Sequence, residues 1–219
     1  MASLKSINAW FRKLDTKTFA AVACGDTAPP EKEVTRFEKE IGFRLPTDFR
    51  SFTMSPLGGL YLEVRPDLWP IPEELAVGPA WSFARGLLVF GLAKGTPAWL
   101  DMRVQLERVR SWGVGGLVPF FQRESDADRY CFDKRGDIFL VHHDDPSEPR
   151  PVGGGFADLV MEQIGELTER KDEWLRLVAA GRAPWAQPKK KVATKKKAAT
   201  KKKAATKKKA ATNKKAARR

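Results

Sequence analysis

Histidine is almost missing from this chain of 219 residues: there are two, His142 and His143, and they are adjacent. A histidine-based triad needs an imidazole oriented by partners from elsewhere in the fold, so a single dipeptide leaves few forms such a triad could take. Cysteine is as scarce. Cys24 and Cys131 lie far apart with no CxxC or other metal-ligand spacing, which argues against a disulfide framework and a zinc site and predicts reduced, buried thiols in a cytosolic protein. No apolar run approaches the roughly 18 residues of a membrane span, and none follows the first basic residues as a secretory leader would. The glycine triplet Gly153 to Gly155 is not followed by GK[ST], so it reads as a free joint before a helix and not as a phosphate loop. No serine stands in a nucleophile elbow.

Acidic residues are absent from the last 31 positions, and this absence decides how the charge is read. The chain carries a formal net charge of +13, which would ordinarily indicate a nucleic-acid-binding protein. Residues 189 to 219 hold 14 lysines and 2 arginines; removing these 16 from the chain's 40 basic residues leaves 24 against 27 acids, so the preceding 188 residues carry −3. The basic side chains are Lys189, Lys190, Lys191, Lys195, Lys196, Lys197, Lys201, Lys202, Lys203, Lys207, Lys208, Lys209, Lys214, Lys215, Arg218 and Arg219, mostly triplets alternating with Ala-Ala-Thr. With no aromatic residue, one valine and unrelieved like charge, the segment is expected to be disordered. Its six-residue period turns about 240° around a helix and spreads lysines over every side, which argues against an amphipathic membrane helix. Non-specific binding to DNA or RNA phosphates is the expectation, because no side chain there can stack on a base or read a groove. The repeat resembles the lysine-alanine tails of linker histones and of bacterial histone-like proteins, and Pro188 to Val192 looks like a short nuclear-import signal. A solubilising extension is the plainer alternative.

The seven tryptophans and thirteen phenylalanines all precede the tail and supply enough buried area for one substantial domain. Leu4, Ile7, Phe11 and Leu14 keep helical spacing and predict a helix over 4–22. Pro29 and Pro30 break the chain before a second helix with Val34, Phe37 and Ile41 on one face and Gly42 to end it. In "LPTDFRSF", Pro46 and Asp48 suit the first turn of a third helix, stopped by Gly58-Gly59. Leu60 to Val64 and Leu87 to Phe90 read as strands; Trp99, Met102, Leu106 and Val109 share a helical face. Leu117 to Gln122, Arg129 to Phe132 and Ile138 to His142 follow as strands, with a glycine turn in "DKRGD". Phe156, Leu159, Val160, Ile164 and Leu167 mark a closing helix, and a further helical stretch carries Trp174, Leu175 and Val178. Helices, then antiparallel strands, then a helix give an α+β domain: a mostly antiparallel sheet flanked by N-terminal helices and a closing C-terminal helix. The division read from this order is a helical extension over 1–29, the α+β domain over 30–180, and linker plus tail over 181–219.

The succession "EKEVTRFEKEIGFRLPTDFRSF", Gly58-Gly59, "LLVFG", "DRYCFDKRGDIFLVHHD" and "GGGFADLVMEQI" resembles the SUKH superfamily of cell-wall-synthesis regulators and bacterial toxin-immunity proteins. It departs from the family pattern at Leu57, where an asparagine often stands, in a long segment from Lys94 to Gly116, and in the tail. The resemblance implies protein recognition, with a toxin as the partner class, and supplies no catalytic residue.

Among residues with chemistry to offer, "HHDD" over 142–145 invites a metal or acid-base reading, but alternation along a strand should send His142 and His143 to opposite faces. Asp126 and Asp128 in "ESDADR" lack the glycine and distal glutamate of a calcium loop and read as a polar turn. No cofactor is implied. Trp69, set among prolines in "RPDLWPIP" where a loop cannot bury everything, is the expected anchor of a partner interface, and Asp144, Asp145 and Glu148 form an acidic group suited to a basic partner. The reading is a cytoplasmic, non-catalytic protein-binding module with a nucleic-acid-binding tail that would associate it with the nucleoid. The alternative is a nucleoid or chromatin accessory protein whose tail is the main activity.

Overall fold

The computed structural model describes residues 2–23, 28–70, 84–124 and 126–182. Within them the elements run α1 (Leu4–Arg12), β1 (Phe19–Ala23), α2 (Glu31–Ile41), α3 (Thr47–Thr53), β2 (Leu60–Val64), β3 (Gly86–Val89), α4 (Met102–Ser111), β4 (Val118–Arg123), β5 (Arg129–Phe132), β6 (Ile138–Val141), β7 (Arg150–Val152) and α5 (Phe156–Ala179). The seven described strands form one sheet in the order of the chain, each antiparallel to the next. This is the α+β class that the sequence order predicts.

Several elements differ from their sequence patterns for local reasons. The first helix stops at Arg12. Asp15 then folds the chain back: its carboxylate accepts from Lys17 N at 3.0 Å and from the Thr18 hydroxyl at 2.5 Å, and its carbonyl from Phe19 N at 2.8 Å. The residues beyond, which have good helix propensity, become instead the strand β1, because pairing with β2 from Phe19↔Val64 to Ala23↔Leu60 outweighs that preference. Strand β7 escapes the sequence pattern through its brevity and Pro151, which suits an edge. Helix α5 runs through 24 residues without the expected interruption.

The glycine pair serves a different purpose from stopping α3, which already ends at Thr53. A Cβ on Gly91 would lie 2.5 Å from Gly59 Cα and N, and one on Gly58 would lie 2.1 Å from the Thr53 carbonyl oxygen. These glycines let two backbones touch. Gly91 N donates to Leu100 O at 3.0 Å and Gly91 O accepts from Met102 N at 2.9 Å, so the start of α4 is fixed to the end of β3.

Register assigns the two faces of the sheet. Leu62 pairs with Leu87, and Tyr61 with Leu88, which in turn pairs with Gln122. Phe120 and Phe132 stack with centroids 3.8 Å apart and meet Phe49 of α3 and Phe156 of α5, forming the main aromatic core. Helix α4 packs elsewhere: Val109 joins Val114, Cys131 and Val141 in a smaller cluster, with Trp112 and Leu117 against it. Cys131 is a fully buried free thiol, and its burial pushes its pKa up and so disfavours the thiolate. Cys24 lies outside the described residues.

Candidate functional site

Trp69 is not an exposed anchor. It is 4% exposed and stacks on Trp174 of α5, centroids 5.5 Å apart and planes 8° from parallel. Trp174 Nε1 donates to Leu68 O at 2.9 Å, and Arg85 Nη1 donates to Trp69 O at 3.0 Å. The sequence signal of a proline-flanked loop failed because α5 is longer than its pattern and brings Trp174 back over that loop.

Asp144, Asp145 and Glu148 all lie exposed on the connection between β6 and β7. The two histidines at its base do not diverge as strand alternation predicts, since β6 ends at Val141. Both rings turn to Asp128: His142 Nδ1 lies 2.6 Å from Oδ2, while His143 Nδ1 and its backbone N lie 3.0 Å from Oδ1. Burial acts to raise the Asp128 pKa, but the hydrogen bonds from His143 and His142 outweigh it and hold the carboxyl below its usual range. The same bond raises the pKa of His143. Asp126 completes the turn, accepting from Asp128 N at 3.0 Å and pairing with Arg123 at 3.0 Å. This clamp ties the turn before β5 to the exit of β6 and so fixes the base of the acidic loop, where His143 Nε2 also meets Asp144 at 3.0 Å. Among the described residues no group of three or more His, Cys, Asp or Glu is placed to hold a metal ion.

A second site was not picked out in the sequence. Tyr61, Leu88, Trp99, Arg108, Gln122 and Glu124 line a groove of about 360 Å³ on the sheet face that carries Tyr61. Trp99 does not share the buried face of α4 with Met102, Leu106 and Val109; it stands in the turn before the helix, 47% exposed, edge-on to Tyr61 at 5.5 Å. Tyr61 Oη approaches Glu63 at 2.9 Å and Glu124 at 2.7 Å, and Arg85 pairs with Glu63 at 3.1 Å. Burial raises the Tyr61 pKa, reinforced by both carboxylates, and desolvation raises that of Glu124 against the opposing pull of Tyr61 and Arg85. Alternation of polar residues in "LYLEV" and the pair Gln122, Glu124 at the end of β4 were the available signal; only strand order could have joined them. The basic residues of 189–219 lie outside the described residues. Among the described residues no helix is long and apolar enough to cross a membrane.

Residues 28–162 match the family model described as SMI1 / KNR4 family (SUKH-1). No curated protein matches the chain. Among solved structures it is similar to a protein from Pseudomonas syringae pv. tomato, with 16% identity, coverage of 58% of this chain and 78% of that one, and a TM-score of 0.35.

Proposed function

The chain belongs to the SMI1 / KNR4 family (SUKH-1), and on that premise we propose that it is a non-catalytic protein-binding module of the toxin-immunity kind, acting in the cytoplasm. The family match over residues 28–162 carries the reading. It is supported by an acidic body, −3 before residue 189, and by the exposed Asp144, Asp145 and Glu148 on their clamped loop, which suit a partner with a basic interface. Trp69, being buried, drops out of the interface; the acids remain. The test is capture from native lysate by residues 1–188, followed by association kinetics with the captured partner. Neutralising the three acids should slow association several-fold at low salt and leave dissociation little changed. Capture of no specific partner by the body would end the reading.

The tail adds non-specific affinity for nucleic acid in this proposal and concentrates the module on the nucleoid. Its 16 positive charges should make binding to duplex DNA fall steeply with salt, log K losing about 0.9 per phosphate contact for each tenfold rise. Equal DNA binding by full-length and tail-deleted protein would refute this assignment.

A further inference from the structure

The His143 ring is held between two carboxylates, one on each nitrogen. Nδ1 lies 3.0 Å from Asp128 Oδ1, which also accepts from the His143 backbone N at 3.0 Å, and Nε2 lies 3.0 Å from Asp144 Oδ1. An imidazolium carries a proton on both nitrogens and can donate to both acids at once. A neutral imidazole has one N–H, so one acid is left facing a lone pair. Burial decides which contact survives. The Asp128 side chain is 15% exposed and also meets His142 Nδ1 at 2.6 Å, whereas the Asp144 side chain is 89% exposed. A carboxylate held away from water loses more with a donor than one that can turn into solvent. The neutral ring therefore keeps its proton on Nδ1, toward Asp128, and Nε2 lets Asp144 go. His142 cannot take this part, since its Nε2 is buried without a hydrogen-bond partner.

We propose that His143 is a proton-operated latch on the acidic loop: charged, it holds Asp144 against the Asp128 clamp, and neutral, it releases Asp144 toward a basic partner. The inference rests on the reading of that loop as part of a protein-binding surface, and supplies its regulation. From the turn before β5 the ring meets Asp128, with Asp126 beyond it paired to Arg123, while Arg129 is engaged with Gln105. On its own connection stand His142, Asp144, Asp145 and Glu148. The hydrogen bond to Asp128 raises the His143 pKa against a slight desolvation, and the charges of Asp144, Asp128 and Asp126 add to it. With three acids in residues 143–148, loss of the imidazolium charge takes the loop from −2 to −3. Association with a basic interface should therefore quicken as pH rises through the folded His143 value.

The experiment is an NMR titration of the full chain from about pH 5.5 to about pH 8.5, observing the imidazole nitrogens and the Asp144 carboxyl carbon. The Asp144 carbon should move with the His143 midpoint, and above that midpoint the ring should be the Nδ1–H tautomer, not the Nε2–H form that free histidine favours. Asp144→Asn should lower the His143 midpoint by a few tenths of a pH unit, as suits an exposed pair, and Asp128→Asn by more. Broadening of the Asp145 and Ser147 amides by a cationic nitroxide, relative to a neutral one, should rise about 1.5-fold to twofold across the titration. A neutral His143 protonated on Nε2, an Asp144 carbon indifferent to the His143 midpoint, an unchanged midpoint in Asp144→Asn, or a nitroxide response as large in His143→Gln would each overturn the latch. No partner enters the titration, so its failure leaves the protein-binding reading standing, and a working latch beside an empty lysate capture would condemn that reading alone.

Discussion

Replacing Gly91 by alanine should be among the most damaging small changes available to this fold. The added Cβ would sit 2.5 Å from Gly59 Cα and N, both backbone atoms, with Gly58 C at 3.1 Å. A flexible side chain could swing away; this neighbour cannot. Either β3 parts from the Gly58-Gly59 turn or the Gly91 hydrogen bonds to Leu100 and Met102 are lost, and both loosen the start of α4. Overpacking ordinarily costs 1–3 kcal/mol, and a clash with unyielding backbone belongs at the upper end, about 3 kcal/mol. For a domain of this size that corresponds to a fall in Tm of roughly 6–12 °C. Gly115→Ala is the control, since its Cβ would meet nothing within 4 Å and its φ is not positive; it should stay within about 1 kcal/mol of wild type, on the stabilising side. Urea unfolding followed by tryptophan fluorescence measures both. A Gly91→Ala protein within about 0.5 kcal/mol of wild type, or no less stable than Gly115→Ala, would refute the close-approach argument.

The His143–Asp128 bond should make stability depend on pH in a defined sense. His143 has a raised folded pKa, so its contribution is fully present below the unfolded value of about 6.5 and is lost as pH rises through the folded value; the urea midpoint difference between wild type and His143→Asn should shrink from about pH 6 to about pH 8, and a constant difference would contradict it. Asp128 has a lowered folded pKa, so its contribution is present above the unfolded value of about 3.9 and lost as pH falls through the folded one; wild type and Asp128→Asn should converge in stability in acid. Trp69→Ala should cost about 3–5 kcal/mol through loss of the Trp174 stack, while partner dissociation from the protein that remains folded stays unchanged; a faster dissociation with intact stability would restore Trp69 as an anchor.

What was legible in the sequence is what short-range pattern encodes. Leu60–Val64 and Arg129–Phe132 carry enough β-branched, aromatic and alternating residues to define their strands, and Gly42, with φ of 81°, ends α2 as a left-handed cap. The misses come from partners distant in the chain. Phe19–Ala23 is a strand because β2 lies beside it, and Trp69 is buried because Trp174 arrives from 105 positions away. His142 and His143 converge because Asp128, on a neighbouring strand's lead-in, gathers both rings just where strand geometry has ended. The groove is the extreme case: Tyr61, Trp99 and Glu124 come from three separate segments, and the helical spacing that groups Trp99 with Met102, Leu106 and Val109 hides it from the other two.

The central claim is that the folded body, and not the basic tail, recognises a protein. Its most direct measurement is parallel capture from nuclease-treated native lysate by the full chain and by residues 1–188, with the recovered proteins quantified against each other. The account predicts that one specific partner is recovered by both in equal stoichiometry, while nucleic-acid-associated proteins are confined to the full chain. Partners recovered only when residues 189–219 are present would contradict it and leave the tail as the activity.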